Sequence, residues 1–191
     1  LKAGEKISEA MTGEYILYSG YTWRVIGKES NGTTKIVMNE SLEMDYQVIT
    51  TIFDKKNSYY NPTQKTNVGY KIANDVNSYI NVNLFDKKSI NVNLYKKYIN
   101  YSEKTKVKQY KTKIEEVSLF DLYSPSTVSN HWFRESTSNG LAYMNSPLTD
   151  VSEEKIINGS TGLIKLTANL NKNVSVKKGN GLITNPYNLV K

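Results

Sequence analysis

Two apolar-alternating segments flank an Asn-Gly turn near the start of the chain, and this pattern limits the architecture more than any other. Thr22-Trp23-Arg24-Val25-Ile26 places Trp23 and Val25 on one face, and Lys35-Ile36-Val37-Met38 returns beyond Ser30-Asn31-Gly32. Asn and Gly tolerate the positive φ angles of tight hairpin turns, so the pair predicts antiparallel strands. Tyr15-Ile16-Leu17-Tyr18 adds a short strand before them. The C-terminal third is strand-like again. His131–Glu135 and Leu141–Met144 flank a turn at Ser138-Asn139-Gly140. Ile164–Leu170 and Val174-Ser175-Val176 follow, with a further turn at Lys178-Gly179-Asn180-Gly181.

Between these β regions the spacing changes. Val68, Ile72, Val76 and Ile80 fall four apart, and Ile90, Leu94 and Tyr98 repeat the interval, which predicts two helices. Tyr101–Lys113 reads as an exposed Lys/Tyr-rich connection with room for an edge strand, and residues 1–13 as an N-terminal linker. Strands, then helices, then strands argue an α+β fold: one domain over 1–191 with an antiparallel twisted sheet and two helices. Trp23, Val25, Ile36, Val76, Ile80, Leu94, Trp132, Tyr143 and Leu170 are the expected core.

The 191 residues include no Cys and one His, which removes thiolate nucleophiles and zinc- or iron–sulfur–thiolate sites. A triad would have to use His131, and no Gly-x-Ser-x-Gly elbow accompanies it. Glu115, Glu116, Asp121 and Glu135 are the carboxylates considered for glycosidase work. Adjacent Glu115 and Glu116 point to opposite sides of an extended chain, and Glu135 is expected to lie outward in solvent beside Arg134. Asp150, Ser152, Glu153 and Glu154 read as a solvated acidic turn in preference to a calcium loop. No catalytic residue, metal site or cofactor is expected.

The net charge of +7 reads first as a Lys- and Asn-rich surface and second as attraction to a polyanion. Lysines 96, 97, 104, 106, 108, 111 and 113 interleave with Tyr95, Tyr98, Tyr101 and Tyr110. Arg is absent from that stretch, which disfavours base readout and hence nucleic acid. Tyr is an economical contact residue, so Tyr59, Tyr60, Asn61, Tyr98 and Tyr101 are the candidate ligand-binding residues, with Tyr59 and Tyr60 as an exposed pair.

Several stretches resemble a family of uncharacterised Gram-positive surface and prophage domains. They are Tyr21–Ile26, Val117–Tyr123, Trp132–Ser136 with Leu141–Asn145, and Ile164–Leu170 leading through Val174–Val176 and Gly179–Gly181 to Asn185-Pro186-Tyr187-Asn188-Leu189. That strand order is similar to C-type-lectin-like domains and to the formylglycine-generating-enzyme fold, implying two helices, a twisted sheet and neighbouring termini. Departures are clear. Lys165-Leu166 stands where the family has Arg-Pro, the calcium-lectin motifs are missing, and the enzyme's cysteines are absent.

The resemblance implies a non-enzymatic extracellular recognition or adhesion module at a cell surface, with a polysaccharide, a wall polyanion or a protein as ligand. Membrane attachment would come only from an upstream anchor. The alternatives are a structural subunit, pilin-like or from a phage tail, and a glycan-active enzyme.

Overall fold

The computed structural model describes residues 1–44, 47–48, 50–56, 59–118, 121, 132–137, 141–146, 150–155 and 160–191. His131, Ser138–Gly140 and, within Val117–Tyr123, Leu119, Phe120, Leu122 and Tyr123, which bear on expectations above, lie outside the described residues.

The opening hairpin forms as its alternation dictates. Strands β1 (Tyr15–Tyr18), β2 (Tyr21–Lys28) and β3 (Thr34–Met38) pair antiparallel, with Val25 opposite Ile36. Gly32 adopts φ 83°, and Asn31 Oδ1 accepts the Thr33 N–H at 3.1 Å, closing the turn. Three short strands follow, β4 (Glu43–Met44), β5 (Gln47–Val48) and β6 (Thr50–Ile52). A helical stretch comes next: α1 (Val68–Tyr70), a π-helical turn over Lys71–Asp75 and a 3₁₀ turn over Val76–Ser78.

The rest is strand: β7 (Lys88–Lys97), β8 (Ser102–Thr112), β9 (Ile114–Glu116), β10 (Trp132–Thr137), β11 (Leu141–Ser146), β12 (Asp150–Lys155), β13 (Thr161–Leu163), β14 (Leu166–Leu170), β15 (Ser175–Lys178) and β16 (Tyr187–Val190). Among the described residues, one sheet has the order β15-β16-β1-β2-β3-β14-β9 and a second the order β12-β11-β10-β7-β8. Strands β13 and β6 pair separately, as do β4 and β5. The β1–β16 and β10–β7 pairings are parallel.

Among the described residues the molecule is therefore mostly β, 50% strand and 9% helix with one short helix of 8 residues, and not the expected α+β, C-type-lectin-like plan with two helices. The error lies at Ile90 and Leu94. A spacing of four is also two steps of a strand, and Val92 between them completes an alternation with Asn91 and Asn93. Ile90, Val92 and Leu94 are buried on one face of β7 while Asn91 is exposed. The Lys/Tyr-rich stretch, read as a connection with room for an edge strand, is its partner β8, an edge strand among the described residues, joined from Lys88↔Thr112 to Lys97↔Ser102. The first predicted helix exists in shortened form, and Val68, Ile72, Val76 and Ile80 do face the core.

Residues 1–13 are not a linker. Ile7 and Ala10 are fully buried, and Gly4 N–H and Ile7 N–H donate to the carbonyls of Val176 and Val174 at 2.8 and 3.0 Å. Asp150–Glu154 is likewise a strand paired to β11 in place of an acidic turn. At the other end, Gly179 has φ 106°, and a Cβ there would sit 2.1 Å from the Pro186 carbonyl oxygen, so only glycine lets β15 turn into β16.

All nine expected core residues are buried. The main core draws on both large sheets and the helical stretch, with Trp23, Val25 and Ile36 in one cluster with Ile72, Val76 and Val92. The Phe85 ring packs edge-on against Trp23 and Tyr18, 5.6 Å from each. A smaller cluster, Ile26, Val37, Val117, Phe133 and Tyr143, fills the opposite side of β3. Lys35, Glu115 and Asn169 lie on that second side.

Candidate functional site

The expected ligand-binding residues separate into two groups. Tyr60 is 1% exposed, and its hydroxyl accepts the Glu116 N–H at 3.1 Å, so it is a core residue and not half of an exposed pair. Burial, and next the Glu116 carboxyl, push its phenol well above the usual range. Tyr59 is half-buried, and its carbonyl accepts from Asn67 Nδ2 at 2.8 Å. Asn61 Oδ1 is committed to its own turn, accepting the Thr63 N–H at 2.9 Å. The organiser of this loop is Asn67, which sequence reasoning missed. Fully buried, it caps α1 through Gly69 N–H at 2.8 Å and also accepts Asn61 N–H at 2.9 Å.

Tyr98 and Tyr101 behave differently. They close the β7–β8 hairpin with rings stacked at 4.6 Å and 17°, and the Lys96 ammonium lies 5.1 Å from the Tyr98 ring. Tyr101 is 63% exposed and the intervening Ile99 98%. Successive residues Ser102–Val107 are all exposed, so both faces of this end of the hairpin meet solvent. Lys104, Lys106 and Lys111 are exposed along β8, which is the sheet edge among the described residues. Lysines on an edge strand discourage pairing with a second copy.

At the base of the hairpin lies a groove of about 500 Å³ between Pro62, Asn74 and Tyr110, with Lys87, Lys111 and Lys113 on its walls. Burial, and next Tyr59, push the Tyr110 hydroxyl up to about 12. Eleven residues of extended chain measure about 35 Å, so groove and stacked rings mark the two ends of one basic track.

A second polar locus sits between the sheets, where a cleft of about 490 Å³ is lined by Lys35, Lys88, Asn91, Glu115, Arg134 and Asn169 among others. Strand pairing creates it. Glu115 is opposite Thr167, Asn169 lies two residues further along β14, and Lys35 is opposite Asn169, so all share one sheet face. Lys88 Nζ stands 2.9 Å from Glu115 Oε1 and donates to Asn169 Oδ1 at 2.8 Å. Arg134 Nη1 lies 3.1 Å from Glu115 Oε1, and its Nε 3.8 Å from Glu135 Oε1. These are ion pairs by distance without aligned hydrogen bonds, and Glu115 Oε2 has no hydrogen-bond partner.

Glu135, expected in solvent, is fully buried and accepts the Ser118 hydroxyl at 2.6 Å. Lys35 pairs with Asp121, whose other oxygen accepts the Ser118 N–H at 2.8 Å. The Glu115 and Glu135 carboxylates thus converge on Arg134, which no local pattern announces.

Glu116 points to the other side of β9, as alternation requires. One oxygen accepts the Lys165 N–H at 3.0 Å, and the other has no partner. Burial pushes its carboxyl well above its usual 4.5. Lys165 is buried too, and burial pulls its ammonium down to about 8.

The Glu116 shift makes a pH prediction. Below about pH 4.5 folded and unfolded chains both carry the proton, and stability is complete. Above that the unfolded chain ionises while the folded one does not, so stability falls with rising pH, by at most about 1.4 kcal/mol per unit, until the folded group also ionises. Glu116→Gln removes this slope. Urea titrations of both proteins at several pH values should show the variant gaining on the parent as pH rises, and parallel profiles would contradict the shift.

No known protein family matches the chain, and no match was found among curated proteins or solved structures. Among the described residues no helix is long and apolar enough to cross a membrane.

Proposed function

We propose that the chain is an extracellular recognition module that binds an anionic polymer along the β7–β8 hairpin. The observation that carries this reading is the pairing of an exposed lysine row with the stacked Tyr98 and Tyr101 at its end. A polymer whose charges repeat along its length can follow the lysines, while its apolar or sugar faces rest on the rings. The length of the track suits a chain better than a compact solute. The groove near Tyr110, with Lys87, Lys111 and Lys113, supplies a second contact for the same polymer. A wall polyanion, a polyol phosphate or an acidic polysaccharide, has the required chemistry.

The structural-subunit reading draws on Ile99 and the edge of β8, but lysines along that edge repel a second copy of it.

The test is binding of the soluble chain to purified teichoic acid, an acidic polysaccharide and a neutral glycan at low and physiological salt. Saturable binding to the anionic polymers should persist at physiological salt. It should weaken about tenfold or more in the combined Lys104→Glu, Lys106→Glu and Lys108→Glu variant, and several-fold in Tyr101→Ala. Equal binding of the parent and the Lys-to-Glu variant would overturn the assignment. Concentration-dependent self-association without binding would favour the structural subunit.

A further inference from the structure

We propose that Lys88 and Asn169 join covalently, forming an amide between Lys88 Nζ and Asn169 Cγ under the action of Glu115. Three side chains able to perform this reaction meet in one place. Lys88 Nζ is 2.8 Å from Asn169 Oδ1 and 2.9 Å from Glu115 Oε1. One C=O bond of about 1.2 Å separates that oxygen from Cγ. The amine therefore stands near the contact range, about 3–3.5 Å, from which a nucleophile attacks.

Backbone pairing holds the partners there. Asp86 N–H donates to the Asn169 carbonyl at 2.9 Å, Phe85 bridges Leu170, and β9 lies against β14. Asn169 Nδ2 donates to Thr33 Oγ1 at 3.1 Å, which fixes the amide plane. Glu115 and Asn169 are nearly inaccessible to water, which would otherwise compete as the nucleophile. All three residues line the 490 Å³ cleft, through which a small leaving group can depart.

The steps balance. Glu115 takes a proton from the Lys88 ammonium. The freed lone pair attacks Cγ, forming the Nζ–Cγ bond and moving the carbonyl π pair onto Oδ1. Glu115 returns its proton to Nδ2, the carbonyl re-forms, and the Cγ–Nδ2 bond breaks to release ammonia. The attacking nitrogen sheds its second proton to Glu115, which passes it to the ammonia. One ammonium and one primary amide become one secondary amide and one ammonium ion, with nothing oxidised or reduced. The Glu115 oxygen without a hydrogen-bond partner gives the carboxylate a site free for these transfers.

The bond would tie the first residue of β7 to β14 across 81 positions and so link the two large sheets. Closing a loop of that length restricts the unfolded chain strongly.

Intact-mass measurement of the full chain tests this. The folded parent should weigh one ammonia less than its sequence, and digestion should yield the Lys88 and Asn169 peptides as a single branched species. Lys88→Arg keeps the positive charge and Asn169→Ala removes the acceptor, and each should carry its full sequence mass. Glu115→Gln should stay folded yet uncrosslinked. The Lys88→Arg midpoint should fall by roughly 10–15 °C. A folded parent at full sequence mass would overturn the proposal. So would an ammonia loss confined to one peptide, which marks cyclisation of Asn169 onto its own backbone. If Glu115→Gln does not fold, Glu115→Asp replaces it, and a crosslink formed at the parental rate would remove Glu115 from the mechanism.

Discussion

Replacing Arg134 by Met should lower folding stability by about 3–5 kcal/mol. The guanidinium lies 3.1 Å from Glu115 and 3.8 Å from Glu135, which are 1% and 0% exposed, and without it these two buried carboxylates lose a shared cation and Lys88 remains against Glu115. Removing one member of a buried ionic cluster costs far more than the cluster itself contributes, because an uncompensated charge remains. Burial alone would pull the Arg134 pKa down, but Glu115, Glu135 and Asp121 outweigh it and hold the group above its ordinary value. Arg134→Lys keeps the charge but reaches both acids less well, so its loss should be smaller. Urea unfolding followed by circular dichroism ranks the three proteins. A Met variant as stable as the parent would show that these ion pairs contribute nothing to the fold.

Trp132→Ala should cost a similar 3–5 kcal/mol. The indole is fully buried, stands edge-on to Phe53 at 5.5 Å and fills the space over Gly162, where a Cβ would lie 2.7 Å from Nε1. Its N–H donates to the Thr51 carbonyl at 2.8 Å, joining β10 to β6. Trp132→Phe retains much of the ring but leaves that carbonyl without its donor, and should cost about 1–3 kcal/mol. Thermal unfolding of the two variants separates ring volume from hydrogen bond. Equal losses would mean that the hydrogen bond carries the effect and the ring volume adds little, and a Phe variant as stable as the parent would mean that the N–H contributes little.

Much of the sheet was legible in the chain. The Asn31-Gly32 turn, the alternation of β2 and β3 and the buried positions from Trp23 to Leu170 follow from local rules acting over a few residues. The helix expected over Ile90–Tyr98 failed because four is a multiple of two, so the same apolar positions serve a strand. Asn91 and Asn93, poor helix formers, were the available signal. Tyr60 was misplaced for another reason. A tyrosine beside a Pro-containing loop carries the same local signature whether its ring meets water or the Glu116 amide.

The candidate sites divide along the same line. Tyr98 and Tyr101 were identifiable by composition, and they meet because they bracket a hairpin turn. Lys88, Glu115, Arg134 and Asn169 come from four strands of two sheets, and their meeting depends on register, which long-range pairing sets. The sequence by itself determined the antiparallel hairpins, the core side of each alternating strand, the absence of thiol chemistry and the basic, Tyr-rich character of the surface. These depend on residue type and on periods of a few positions. Only the tertiary structure decided that β7 is a strand, that Ile7 and Ala10 belong to the core, and that one lysine, one asparagine and one glutamate share a cleft, because contacts across 81 residues depend on how the sheets close.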